Sequence, residues 1–302
     1  MTPSSLLSGW RSVSVLAVAA SIAAFGALGL QTAAASKDAP AVPAPPTQPT
    51  RADQIQNIDQ VKTAIKAYYG DKPSSATNPV DGTTNLRTFS DTGAYAQEMA
   101  GLTDEARSYL ADPKHASGVA KEQGKPAPAT PGKKAILFDV DDTSLNTYNY
   151  EIYSNFVFNP TSNAAFVNAA AFPGVPHMAD LANQAKAAGY TVFFLTGRPE
   201  GQRAGTEANL ANEHFPVETS QVYLKDDAVQ SWITCDTNFT QYDTTTTGTP
   251  SCNTVERKSQ TRAHIESLGY DIVANFGDQF SDLKGGYADR TFKVPNPMYY
   301  LP

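Results

Sequence analysis

The hydrophobic pattern changes character twice along the chain. Near the start, an almost uninterrupted apolar segment, "VSVLAVAASIAAFGALGL", follows Arg11 and gives way to "TAAAS". A basic start, an apolar core and a small-residue site at Ala33-Ala34-Ala35 predict a secretory signal peptide over 1–35. The segment also approaches spanning length, so a retained membrane anchor is the alternative. "SKDAPAVPAPPTQPT" offers nothing to bury and reads as a Pro/Ala-rich linker over 36–51. In "ADQIQNIDQVKTAIKAYYG" the positions Ile55, Ile58, Val61, Ile65 and Tyr68 recur at helical spacing, which predicts an amphipathic helix. A second helix is expected from Ala94 to Leu110. With the loop "KEQGKPAPATPGKK" it completes an N-terminal helical extension over 52–132.

From Ala135 the pattern shortens. The apolar runs "AILFDV", "TVFFLT", "QVYLK", "DIVANFG" and "TFKV" alternate with helical stretches such as "HMADLANQAKAAG", "GQRAGTEANLANE" and "VERKSQTRAHIESLG". That alternation, with near-continuous apolar strands, predicts an α/β fold: a parallel sheet with helices on both faces. Ligands of such sheets bind beyond the carboxyl ends of the strands. The residues that follow each run are therefore the walls of a candidate site.

Composition narrows the reading. A chain of 302 residues holds one α/β domain with extras or two small domains. Its net charge of −7 and lack of basic runs argue against nucleic acid as the main partner. Export would oxidise the only two cysteines, Cys235 and Cys252, into a local bridge closing a loop over 226–255. The histidines at 115, 177, 214 and 264 show no ligand spacing and read as ordinary residues.

Candidate chemistry gathers at the run ends. "AILFDVDDTSL" carries Asp139, Asp141 and Asp142, and the first two share one side of extended chain. Thr196 ends the second run in "FFLTGRP". Asp278 follows the fourth in "GDQFSD", with Asp282 four residues on, and Lys258 lies on the helix approaching that run. Taken singly, such an Asp or Thr is a cap and such a Lys a solvated helix face. Their joint appearance at successive strand ends points to a site.

In this order the motifs resemble those of the haloacid dehalogenase-like (HAD) phosphatases. The words "TYNYE", "TGRPEGQRAGTEANL" and "VPNPMYYLP" resemble its secreted acid phosphatase branch, which includes plant vegetative storage proteins. The resemblance implies a HAD-like Rossmannoid core over 133–302 with a small cap insertion over 146–176. It implies Asp139 as nucleophile and Asp141 as the acid that protonates the departing alkoxide, a role that crowding by carboxylates favours. Mg²⁺ would be held by Asp139, Asp278 and the backbone carbonyl of Asp141, offsetting acids that otherwise repel an anionic ester. Thr196, Gly197 and Lys258 would bind phosphate, supported by Arg198 and by Asp282, which orients Lys258 or a metal-bound water. Asp142 is expected to act as a turn or cap residue.

Asp141 separates this chain from dehalogenases, whose halide leaves unprotonated, and the small insertion favours hydrolysis over transfer. The expected partners are small phosphate monoesters, nucleotides among them. Tyr148, Tyr150 and Phe172 are expected either to stack on an aromatic or nucleoside leaving group or to be core, and the cysteine loop either to form the substrate rim through Trp232, Phe239 or Tyr242 or to be a surface excursion pinned against proteolysis. The expected location is extracellular or at the cell envelope. A non-catalytic storage or binding protein is the rival reading, and the retained Asp139 favours catalysis.

Overall fold

The computed structural model describes residues 47–112, 115, 132–226, 230–234 and 252–301. The expected signal peptide, most of the linker, Cys235, Phe239 and Tyr242 lie outside these residues. Among the described residues no helix is long and apolar enough to cross a membrane.

The first helix, α1 (Ile58–Tyr69), starts where the Asn57 side chain accepts from the Asp59 amide and stops at Gly70, whose φ is +64°. The expected apolar stripe begins later than its spacing suggested. Ile55 precedes the helix and Ile58 opens it, and both stay exposed, so the packed face starts at Val61. Helix α2 (Ala94–Ala111) falls within a residue of expectation. Between them β1 (Lys72–Pro73) pairs antiparallel with β2 (Arg87–Thr88), a pairing too short to leave a periodic signal.

All five apolar runs are strands: β3 (Lys133–Phe138), β4 (Thr191–Pro199), β5 (Val222–Lys225), β6 (Tyr270–Gly277) and β7 (Arg290–Lys293). They form one parallel sheet in the order β5-β4-β3-β6-β7. Helices α3 (Tyr148–Tyr153), α4 (Pro160–Asn168) and α5 (Met178–Ala187) lie between β3 and β4. Helix α6 (Arg203–Asn212) connects β4 to β5, α7 (Thr254–Ser267) precedes β6, and the single turn α8 (Phe280–Leu283) follows it.

Side chains alternate across β3, so its two faces join different clusters. Ala135 and Leu137 pack with Phe193, Leu195 and Ile272 against Ile265 of α7. Ile136 and Phe138 face the larger cluster, which includes Leu181 of α5, Leu210 of α6, and Ile65, Tyr69 and Met99 of the two N-terminal helices. The N-terminal helices thus belong to the same core as the sheet. Strand order reverses about β3, and the crevice at its carboxyl end lies between β3 and its neighbour β6.

The segment 146–176 is fastened to α6. Asn209 donates to the Phe172 carbonyl at 2.7 Å and accepts from the Phe172 amide at 3.0 Å, and Glu213 accepts from the Gly174 amide at 2.7 Å. Gly205 permits the approach: a Cβ there would lie 2.4 Å from the Val167 carbonyl oxygen and 2.9 Å from the Asn168 Cα. Gly205→Ala should therefore cost about 1–3 kcal/mol through overpacking. The measurement is urea unfolding followed by circular dichroism, and an unchanged midpoint would mean that α4 can back away.

Candidate active site

The alternation that sorts the core also aims the acids. Asp139 continues the odd-numbered side of β3, and its amide still bonds the Phe276 carbonyl of β6 at 3.0 Å. That side faces α7. Because α7 crosses back from the carboxyl edge of the sheet to start β6, its first turns lie at that edge. Asn253 and Glu256 fix its start as a reciprocal capping box. Its buried stripe then runs Lys258, Arg262, Ile265, charged near the edge and apolar against the sheet.

Lys258 bridges two carboxylates, with Nζ 2.6 Å from Asp139 Oδ1 and 2.6 Å from Asp282 Oδ1. All three side chains are buried. Asp282 is also held from its other oxygen by the Gln279 amide at 2.8 Å. A Cβ on Gly277 would lie 2.4 Å from the Asp282 Cβ and 2.9 Å from its Oδ2, so glycine is needed at that position. Below it, the fully buried Arg262 donates to the carbonyls of Asp282 and Gly286, each at 2.7 Å, and of Lys284. The turn after β6 is thereby tied to α7. Asp282 thus contacts Lys258 directly.

Asp141 lies nearer the mouth, its side chain 30% exposed against 8% for Asp139. Its partner is Arg198, not another carboxylate: Nη2 reaches Oδ1 at 2.6 Å and Nε reaches Oδ2 at 3.0 Å. The crowding expected around Asp141 is therefore relieved by a guanidinium. Arg198 is itself fixed by Thr206 at 3.1 Å and lies over the Phe172 ring. The Thr196 hydroxyl is buried and accepts from the Arg198 amide at 3.1 Å. Gly197, between them on β4, leaves the space beside its Cα open. Asp142 has a local structural role, at φ +53°, accepting from the Thr147 amide, the Thr147 hydroxyl and the Tyr299 hydroxyl.

Charge is unevenly balanced here. Burial, then Asp282 and Asp142, pushes the Asp278 carboxyl up to about 8. Burial raises Asp139 too, with Lys258 opposing and the neighbouring acids adding to the rise. Lys258 is held protonated by Asp139 and Asp282 against the cost of its own burial. The cluster favours added positive charge. Asp139, Asp278 and Asp282 each offer an oxygen within 4.8 Å of the others, a hard-donor set that fits a cation such as Mg²⁺. Both oxygens of Asp282 are already engaged, whereas Asp278 Oδ1 has only a 3.4 Å contact from Thr143. Asp139 and Asp278 are thus the freer ligands.

For the aromatic residues the structure chooses between the two readings. Tyr148, Tyr150 and Phe172 are core residues: all are fully or almost fully buried, the Tyr148 hydroxyl bonds Asp71 at 2.9 Å, and Tyr150 accepts from the Asn159 amide at 2.7 Å. Trp232 stacks on His264 of α7 at 3.8 Å, so one face of its ring packs on that helix. Other residues around the site escaped sequence reasoning: Arg262, Gln279, Asn296, Tyr299 and the buried Glu151. Glu151, Asn296 and Tyr299 lie in "TYNYE" and "VPNPMYYLP", words that carried the family resemblance without singling these residues out.

Comparison with known proteins agrees with this geometry. A family model for the HAD superfamily, subfamily IIIB (acid phosphatase), matches residues 74–302. The chain is 33% identical over 174 residues to a soybean (Glycine max) stem 28 kDa glycoprotein, covering 56% of this chain and 61% of that protein. It is 31% identical over 176 residues to acid phosphatase 1 of tomato (Solanum lycopersicum), covering 56% and 60%. The match therefore spans about three fifths of the length of these relatives. A solved class C acid phosphatase from Bacillus anthracis with tungstate bound aligns at 19% identity and TM-score 0.47, covering 68% of this chain and 81% of that one. With its motifs assembled at the carboxyl edge of one parallel sheet, and the family model matching most of its length, the chain belongs to the HAD superfamily, subfamily IIIB, the acid phosphatase subfamily.

Proposed function

We propose that this protein is an exported, Mg²⁺-dependent acid phosphatase that hydrolyses small phosphate monoesters through an aspartyl-phosphate. The observation that carries the reading is the buried Lys258 bridging Asp139 and Asp282 beside Asp278. Lys258 occupies Oδ1 of Asp139 and leaves Oδ2 to attack phosphorus as the ester P–O bond breaks. Asp141, at the open side, would exchange its Arg198 contacts for a proton from solvent and give that proton to the departing alkoxide. It then takes one from the water that hydrolyses the acyl phosphate. Lys258 and the Thr196 hydroxyl, whose proton is not used by the Arg198 amide, bind phosphoryl oxygens. Asp139, Asp278 and the Asp141 carbonyl would hold a divalent cation, which would supply the positive charge that lets an anionic ester approach.

The Pro-rich linker and apolar leader support export, and export supports a Cys235–Cys252 bridge, with Cys252 buried beside the start of α7. The rival reading, a storage protein, draws on relatives that include stem glycoproteins and a vegetative storage protein. Its test is turnover itself. Phosphate release from a panel of monoesters by the mature chain should vanish with chelator and return with Mg²⁺; full turnover in metal-free buffer would sink the mechanism.

Asp139→Asn should abolish turnover. Asp141→Asn should slow alkyl esters by about 10²–10⁴-fold, and p-nitrophenyl phosphate less, because that leaving group needs little protonation. Equal losses on both esters would count against Asp141 as the acid.

Glu151 links the fold to acidic conditions. It is 7% exposed on α3, and burial, then the charge of Asp141, raises its pKa from 4.5 to about 7. The folded state holds this proton more tightly than the unfolded chain. The stabilising contribution is thus complete below about pH 4.5 and lost as pH rises through about 7. Melting temperatures of Glu151→Gln and the parent should coincide near the acid end, with the variant higher above neutrality. A gap that does not change with pH would refute this assignment.

A further inference from the structure

The segment that follows β7 runs over the carboxyl edge of the sheet and touches the acid cluster at successive points. The Val294 amide bonds the Gly277 carbonyl at 2.9 Å. Asn296 Nδ2 donates to Asp278 Oδ2 at 2.7 Å, and the Tyr299 hydroxyl donates to Asp142 Oδ2 at 2.8 Å. The Leu301 amide donates to Gln279 Oε1 at 2.9 Å, and Gln279 Nε2 in turn donates to the same Asp278 Oδ2 at 2.6 Å.

The amide orientations follow from the segment's own backbone. An Asn or Gln side chain presents an acceptor at one end and a donor at the other. The Met298 amide donates to Asn296 Oδ1 at 2.8 Å, so Nδ2 is the end turned toward Asp278. The Leu301 amide does the same for Gln279. Two backbone N–H groups of one segment thus direct two amide donors onto a single oxygen of Asp278. The other oxygen, Oδ1, is left for a cation. Tyr299 meanwhile holds Asp142, whose turn carries Asp139 and Asp141 off the neighbouring strand.

We infer that residues 294–301 form a strap that sets the cation affinity of the site, with Asn296 and Tyr299 as positioning residues. Asn296 selects the free oxygen of Asp278, and Tyr299 fixes the turn that carries the opposing acids. This rests on the cation reading above and adds to it residues that touch neither ester nor metal. Removing such a partner of a metal ligand typically weakens metal binding by about 10–100-fold.

The test is calorimetric titration of Mg²⁺ into the metal-stripped, folded chain without any ester, so that binding is read apart from turnover. Asn296→Ala should weaken binding about 10–100-fold. Tyr299→Phe, which keeps the ring packed, should weaken it less. Met298→Leu is the control: its side chain is buried in the same segment but bonds no acid, and affinity should match the parent. Parental affinity in both Asn296→Ala and Tyr299→Phe would overturn the strap, as would equal weakening by Met298→Leu. If Asn296→Ala fails to fold, Tyr299→Phe against Met298→Leu decides the matter. A parent chain that binds no Mg²⁺ would remove the cation reading itself, and the strap with it, which distinguishes the two failures.

Discussion

One ammonium group shared by two carboxylates, away from water, is the constraint around which this structure is arranged. Lys258 lies 2.6 Å from Asp139 and 2.6 Å from Asp282. Removing three charges from water is costly, and packed apolar residues of similar size often match or exceed the stability of such a group. Its neighbours serve to keep it in position. The capping box sets where α7 begins, Gly277 makes room for Asp282, and Arg262 ties the turn after β6 to the helix that carries the lysine. Removing any one partner would leave the others charged and buried.

Much of this was legible from spacing. The five core strands left continuous apolar runs, and their ends named Asp139, Thr196 and Asp278 because parallel sheets place ligands there. Lys258 was weaker as a sequence signal. Its helix buries three charged residues, Arg257, Lys258 and Arg262, so hydrophobic periodicity could not show which face was inside. The two-residue strands β1 and β2 lie below any periodic signal. Asp141's pairing with Arg198 joins residues 57 apart, and only the folded register of β3 and β4 brings them together. Ile55 and Ile58 mark the opposite error: apolar spacing continued past the point where Asn57 starts the helix.

Tyrosine hydroxyls recur where separate parts of the chain meet near the site. Tyr148 reaches Asp71, which Arg87 also holds at 2.7 Å; Tyr95 accepts from Asn146 at 3.0 Å; Tyr299 reaches Asp142. A tyrosine buries a large apolar ring and still needs a polar partner at its tip. It can therefore seal an internal boundary and fix its register together. That need explains why aromatics in the first stretch after Asp142 face inward instead of lining an opening.

The fastening of segment 146–176 to α6 bears on how the protein would handle time. Asn209 grips both backbone groups of Phe172, and Gly205 brings α4 to within contact of α6, so this segment is held to the core at both places. Enzymes with a mobile lid often spend their slowest step opening and closing it. Segment 146–176 is instead a wall already set in place by α6. If the proposed hydrolysis holds, discrimination by this wall would rest on fit to a fixed surface and not on a closing step.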